Sequence, residues 1–244
     1  MTNKQPIDQD TWKGVLRSAF SIFRGFEIQG YGTPPFSLGG GTVLMFRWKH
    51  RLSKDVDFFG YDAQWITMLS PRLNDDTRAV AVDYLEQANG LKIILPHGDI
   101  DFIVSGDVLN SLERERGHFE GREFTMDPSA EILAKKMFYR AASFKARDVY
   151  DMSAALDLDG EAARAAIQAA KPKYEVLKRR LLTLAEVPEA ELAAEIVPYA
   201  GPLAHARGMV RKVLSAIEPP LKAQAKDGPV PKRSPVSLSE GYER

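Results

Sequence analysis

The chain has 244 residues, 44% of them hydrophobic, with 33 Lys and Arg against 33 Asp and Glu, no cysteine and four histidines. That length and apolar content suffice for one large domain or two modest ones around a real core. The lack of cysteine excludes disulfides, thiolate catalysis and Cys-based zinc sites, the scattered histidines offer no ligand spacing, and no run approaches the roughly 18 apolar residues that span a bilayer.

Trp12, Val15, Leu16, Ala19, Phe20 and Phe23 recur at helical spacing, which predicts an amphipathic helix over about 8–24 stopped by Gly25. Gly30 to Pro35 is turn chemistry, Phe36 to Leu38 a short strand, Thr42 to Trp48 a short helix and Val56 to Phe59 the next strand. Residues from about 62 to 88 read as helix in two pieces divided near Pro71. LKIIL at 91–95 and DIDFIV at 99–104 read as two strands joined through Pro96, His97 and Gly98, and a further strand is expected over about 118–125. Asp127 and Pro128 form a helix start, with Asp as N-cap and Pro in the first helical position. Ala, Leu, Lys and Glu then dominate to about residue 217, with Pro172, Pro188, Pro198 and Pro202 dividing several helices. The last stretch, rich in Pro, Lys and Ser, reads as a mobile tail or a partner-docking segment, and no internal repeat is present.

The chemistry concentrates in LGGGTVLMFRWKHRLSKDVDFFG, residues 38–60. Gly39, Gly40 and Gly41 permit close backbone approach, and the first N–H groups of the helix that Thr42 opens would face an anion. Asp55 and Asp57 occupy alternate strand positions and so project from one face, where two like charges call for a cation. Oxygen ligands with few carboxylates suit Mg²⁺, bridged to substrate phosphates. A third carboxylate is needed if two metals are to clamp the oxygens of a phosphoryl or nucleotidyl transfer. Asp101, flanked by apolar residues, is favoured over Asp99, as a metal ligand or as the base for an attacking hydroxyl.

Lys136 and Arg140 stand one turn apart on the helix after Pro128, and Asp148 and Asp151 share a face of the next. Packed as a hairpin, the two helices would pair these charges and leave one lysine for a triphosphate. Arg51 is placed to neutralise the carboxylates, and the Ser53 hydroxyl to hold Asp55 or a phosphate oxygen. Bulk charge does not advertise nucleic-acid binding, yet acids dominate from Asp55 to Asp107 while bases gather in 135–147, 171–180 and the tail, so a local basic surface is possible.

These residues resemble the AbiEii/AbiGii-type toxin family of the nucleotidyltransferase superfamily, whose fold is shared with DNA polymerase beta. The resemblance covers roughly residues 36–155. Its first motif falls on Gly40, Gly41, Thr42, His50, Arg51, Ser53, Asp55 and Asp57, and its second on Lys136, Arg140, Arg147, Asp148, Tyr150 and Asp151. Thr42 replaces the commoner serine and keeps the hydroxyl. The resemblance implies transfer of a nucleotide from an NTP with Mg²⁺ or Mn²⁺, in the best-understood cases to tRNA, by a protein paired with an antitoxin.

The resulting expectation is an α+β fold, a nucleotidyltransferase-type mixed sheet with helices over 1–126, a helical region over 127–217 completing the site, and a tail over 218–244. Asp55, Asp57 and Asp101 are the expected metal ligands. Gly40, Gly41, Thr42, Arg51, Ser53, Lys136 and Arg140 are the expected nucleotide contacts, with Asp148 orienting Lys136 or Arg140. The polar start MTNKQPIDQD lacks the apolar core of a signal peptide, so a cytoplasmic location is expected. The competing expectations are a nucleotidyltransferase acting on a small molecule or a protein, and a non-catalytic interaction protein that keeps the fold.

Overall fold

A computed structural model of the protein describes residues 8–109, 113–203 and 205–218. In chain order its elements are α1 (Thr11–Ile28), β1 (Ser37–Gly39), α2 (Gly40–Trp48), β2 (Val56–Gly60), α3 (Gln64–Leu69), α4 (Asp75–Val80), β3 (Asp83–Gln87), β4 (Gly90–Ile94), β5 (Asp99–Val104), β6 (Glu115–Phe119) and β7 (Arg122–Met126). Helices follow: α5 (Ser129–Tyr139), α6 (Ala146–Leu158), α7 (Gly160–Ala169), α8 (Tyr174–Ala185), α9 (Glu189–Ala194) and α10 (Ala206–Ile217). The expected α+β architecture is therefore present, with a mixed sheet first and helices after it. Apart from Glu218, the expected tail lies outside the described residues.

The sheet has seven strands in the order β3-β4-β5-β2-β1-β7-β6. The pairs β2/β5 and β1/β7 are parallel and the rest antiparallel. In β2 and β5 the side-chain alternation separates two chemistries. Val56, Phe58, Ile100 and Phe102 are buried on one face, where α1 packs. There Phe23 meets Phe58 edge-on at 5.0 Å between centroids and Phe102 at 5.8 Å. Asp57 and Asp101 are register partners, so both carboxylates leave from the opposite face. That face looks toward α2, α5 and α6.

Four local expectations need correction. Helix α1 runs through Gly25 to Ile28, because continuing it buries Phe26, and its end falls at Gln29 before Gly30, whose φ is +84°. Gly25 is instead a contact point, since an added Cβ would strike the Asp76 side chain on α4. Residues 83–87 are a strand and not helix. This β3 is an edge strand exposed on both faces, so no alternating burial marks it, and it is held by five register pairs with β4. The single strand expected over 118–125 is a hairpin, β6–β7, closed by Glu120 and Gly121 with φ of +48° and +83°. Finally, Asp127 does not cap α5. Pro128 is the N-cap and the Asp127 side chain is fully buried, taking a hydrogen bond from Ser37 and ion pairs from Lys135 and Arg114.

Candidate active site

Strand β1 passes directly into α2 at Gly39–Gly40, and Gly40 takes φ +69°, a left-handed conformation that an L side chain adopts at a cost. The turn brings backbone against the carboxylate face of β2: an added Cβ on Gly40 would collide with the Asp57 carboxylate, and one on Gly41 with the Arg51 guanidinium. Helix α2 has no side-chain cap at its N-terminus, so its first N–H groups have no side-chain acceptor. Buried Thr42 fixes the loop before β2 by donating to the Asp55 carbonyl, with the Ser53 hydroxyl 3.0 Å away. The expected Ser53 contact is thus to Thr42 rather than to the Asp55 side chain.

Asp57 and Asp101 leave one face of two adjacent parallel strands, Asp99 opens β5 two residues earlier on the same face, and Asp55 immediately precedes β2. Asp57 carries the cost of that crowding. Burial, then the Asp101 charge, raise its carboxyl to about 6; Asp55 adds to the rise, while Lys136 and Arg147 oppose it. Asp101 is also raised by burial, against the pull of Lys92. Lys92, on β4 directly opposite Asp101, donates to Asp101 at 2.6 Å and to Asp99 at 3.4 Å. One Asp55 oxygen accepts the Asp99 backbone N–H at 3.1 Å. Both candidates for the third carboxylate are therefore tied to one ammonium. Among the described residues no group of three or more carboxylates and histidines is already gathered as a metal site.

The wall facing the strands comes from α5 and α6. Lys136 Nζ lies 2.8 Å from Asp148 and 3.2 Å from Asp151, and Arg140 lies 3.0 Å from Asp148. The two helices thus pair their charges as their spacing suggested, and Asp148 holds both cations. Asp148 also accepts the Lys145 backbone N–H at 3.1 Å, closing the first turn of α6. Its carboxyl is held below the usual range by Lys136 and Arg140 despite burial that works the other way.

Asp151 is the hub of this wall. Fully buried, it accepts Arg51 Nε at 2.6 Å and Nη2 at 2.9 Å, and meets His50 Nε2 at 2.7 Å. Burial alone would raise its carboxyl; Arg51 and Lys136 override that and hold it well below the usual range. His50 Nδ1 has no partner among the described residues. Arg51 gives its hydrogen bonds to Asp151, and the Asp57 charge also acts on it.

Sequence reasoning missed Lys92, because its pairing with Asp101 depends on the β4/β5 register. It also missed a second buried network behind the glycine turn. There Lys135 contacts Asp127 at 2.8 Å, Asp107 at 3.3 Å and Glu131 at 3.6 Å, and Asp127 holds Ser37 at the head of β1. Lys135 and Lys136, adjacent on α5 and about 100° apart around it, thus serve different networks.

The family model of nucleotidyl transferase AbiEii toxins, of type IV toxin–antitoxin systems, matches residues 27–224. No curated protein sequence matches the chain. Among solved structures, MenT4, the nucleotidyltransferase toxin Rv2826c from Mycobacterium tuberculosis H37Rv, aligns over 83% of this chain and 82% of its own at 13% identity, with a TM-score of 0.47.

Proposed function

Since the chain belongs to the AbiEii nucleotidyl transferase toxin family of type IV toxin–antitoxin systems, we propose that it transfers a nucleotide from a Mg²⁺-bound NTP to an RNA acceptor such as tRNA, under the control of a cognate antitoxin. The observation that carries this reading is the Gly40 turn laid against Asp57, with Lys136 and Arg147 in electrostatic range of that carboxylate. Anion-binding backbone and cation-binding carboxylates thereby meet at one point.

The residues fit a divalent cation. Asp57 is raised to about 6 by burial first and then by the Asp101 and Asp55 charges, which Lys136 and Arg147 only partly offset; a cation beside it would relieve both. Asp55 and Asp57 would hold Mg²⁺, and Asp101 would join them on release from Lys92. Bound there, the metal would neutralise the carboxylates and polarise the phosphoryl oxygens.

The chain's own groups supply the rest. N–H groups of the Gly40–Thr42 turn receive the triphosphate at the positive end of α2. Lys136, oriented by Asp148, and Arg140 face the phosphates from the helical wall, and Arg51 braces Gly41. In the alternative role, still held by Lys92 and off the metal, Asp101 with its carboxyl raised by burial would take the proton of the attacking hydroxyl. On this reading residues 1–126 and 127–217 act as the two halves of one site. No helix among the described residues is long and apolar enough to cross a membrane.

Incubation of the protein with each of four labelled NTPs and total RNA should place label in RNA, and Asp55→Ala should abolish it. Undiminished labelling by that variant would overturn the metal assignment; label in protein or small molecules alone would overturn the acceptor.

A further inference from the structure

The helical half carries a concentration of positive charge that extends beyond Lys136 and Arg140, the bases assigned to the transfer site. Residues 140–147 hold Arg140, Lys145 and Arg147 with no acid, and residues 171–180 hold five bases against Glu175 alone, in a chain of net charge zero. Separate in sequence, the two stretches are joined in the fold. Arg180 Nε donates to the Phe144 carbonyl at 2.8 Å, seating α8 on the turn between α5 and α6. Lys173 stands over the Phe138 ring at 5.1 Å, which docks the turn before α8 on the end of α5. Lys145, Lys171 and Arg179 are exposed and form no ion pair among the described residues.

The strip also has a wet aromatic component and a direction. Tyr139, 53% exposed, lies edge-on to Phe138 with centroids 5.3 Å apart, and Phe138 is the ring under Lys173, so an exposed ring adjoins the bases. At its inner end Arg147 adjoins Asp148, the carboxylate that holds Lys136 and Arg140 on the wall of the site. Basic side chains that track a backbone, with rings available for stacking, suit a strand with unpaired bases.

We propose that this strip, from α8 across the α5–α6 turn to Arg147, binds the phosphate backbone of the RNA acceptor and leads its reactive end toward Asp57. The proposal rests on the nucleotidyl-transfer reading for the identity of its ligand, and on charge and placement for its location. Lys145, Lys171 and Arg179 each contact a phosphate, and Tyr139 offers a face to an unpaired base.

The test is binding of a fluorescent single-stranded RNA of about 20 nucleotides to the full chain, by anisotropy, from 50 to 200 mM KCl. The variant Lys145→Gln/Lys171→Gln/Arg179→Gln should melt like the wild type and bind at least about tenfold more weakly. Its plot of log affinity against log salt should be shallower by about 2, since each lost phosphate contact on a single strand removes about 0.7 from the slope. The control Arg24→Gln/Arg116→Gln, two exposed arginines on α1 and β6, should bind as the wild type does. Unchanged affinity and slope in the triple variant, or an equal loss in the control, would overturn the strip. Because binding is read without transfer, Asp55→Ala should bind RNA normally. A protein that fails to label RNA yet shows the strip-dependent binding would refute the transfer reading alone.

Discussion

Asp151→Ala tests the hub on which both walls of the site depend. The carboxylate is fully buried and takes two hydrogen bonds from Arg51, one from His50 and an ion pair from Lys136. Its removal leaves Arg51, 5% exposed, without an ion-pair partner among the described residues, while Lys136 keeps Asp148. Removing one member of such a buried pair costs roughly 3–5 kcal/mol, because the surviving charge stays desolvated. For a chain of this length that lowers the melting temperature by about 6–20 °C. Urea unfolding followed by tryptophan fluorescence gives the free energy directly. Arg51→Met/Asp151→Leu, which removes both charges, should lose less than Asp151→Ala alone. A cost below about 1 kcal/mol for the alanine variant, or a double variant worse than the single, would refute the account of the hub. The hub also carries a pH signature. Asp151 titrates lower in the folded chain than in the unfolded one, so its stabilisation is complete above about pH 4 and is lost as pH falls toward the folded value. The gap between wild type and Asp151→Asn should therefore narrow on acidification below about pH 4.

Asp57→Asn reverses that sign. Because the folded carboxyl is raised to about 6, its ionisation costs stability progressively from about pH 4 to 6, so the metal-free variant should be more stable than wild type at pH 8, by up to ~3 kcal/mol, while losing transfer activity; equal melting temperatures at pH 8 would argue against the crowding. Gly40→Ala adds a Cβ at φ +69° that collides with Asp57, and should cost about 1–3 kcal/mol and most of the transfer rate, read by melting and by the labelling assay. Lys92→Met removes a cation that competes for Asp101, so Mg²⁺-NTP should bind roughly tenfold more tightly by calorimetry, ~1.4 kcal/mol; weaker binding would assign Lys92 to the nucleotide instead.

Elements whose burial follows a period were legible in the sequence. The apolar face of α1, the alternation of β2 and β5, and the helical run after residue 127 all declare their packing through spacing. The strand β3 did not, because an exposed edge has no buried side to imprint a period, and its partner β4 supplies the information. Gly25 was misread for a related reason: a glycine permits both a stop and a close approach, and only the neighbour Asp76 distinguishes them. Within the site, the groups brought together by one strand or one helical hairpin could be anticipated, including Asp55 with Asp57 and Lys136 with Asp148. The pairs set by register or by the meeting of distant segments could not, and Lys92 with Asp101, Arg51 with Asp151, and Ser37 with Asp127 are all of that kind.

The bond between Arg51 and Asp151 spans 100 positions of sequence, and this bears on how the protein is made. At roughly 5–20 residues per second, Asp151 is synthesised about 5–20 s after the arginine it neutralises. Through that interval the glycine turn has its nucleotide-facing backbone but not the brace behind Gly41, and the helical wall does not yet exist. A ribosome-bound or prematurely terminated chain ending before Asp151 would therefore carry the glycine turn without the Arg51 brace or the complete helical wall that the proposed transfer requires.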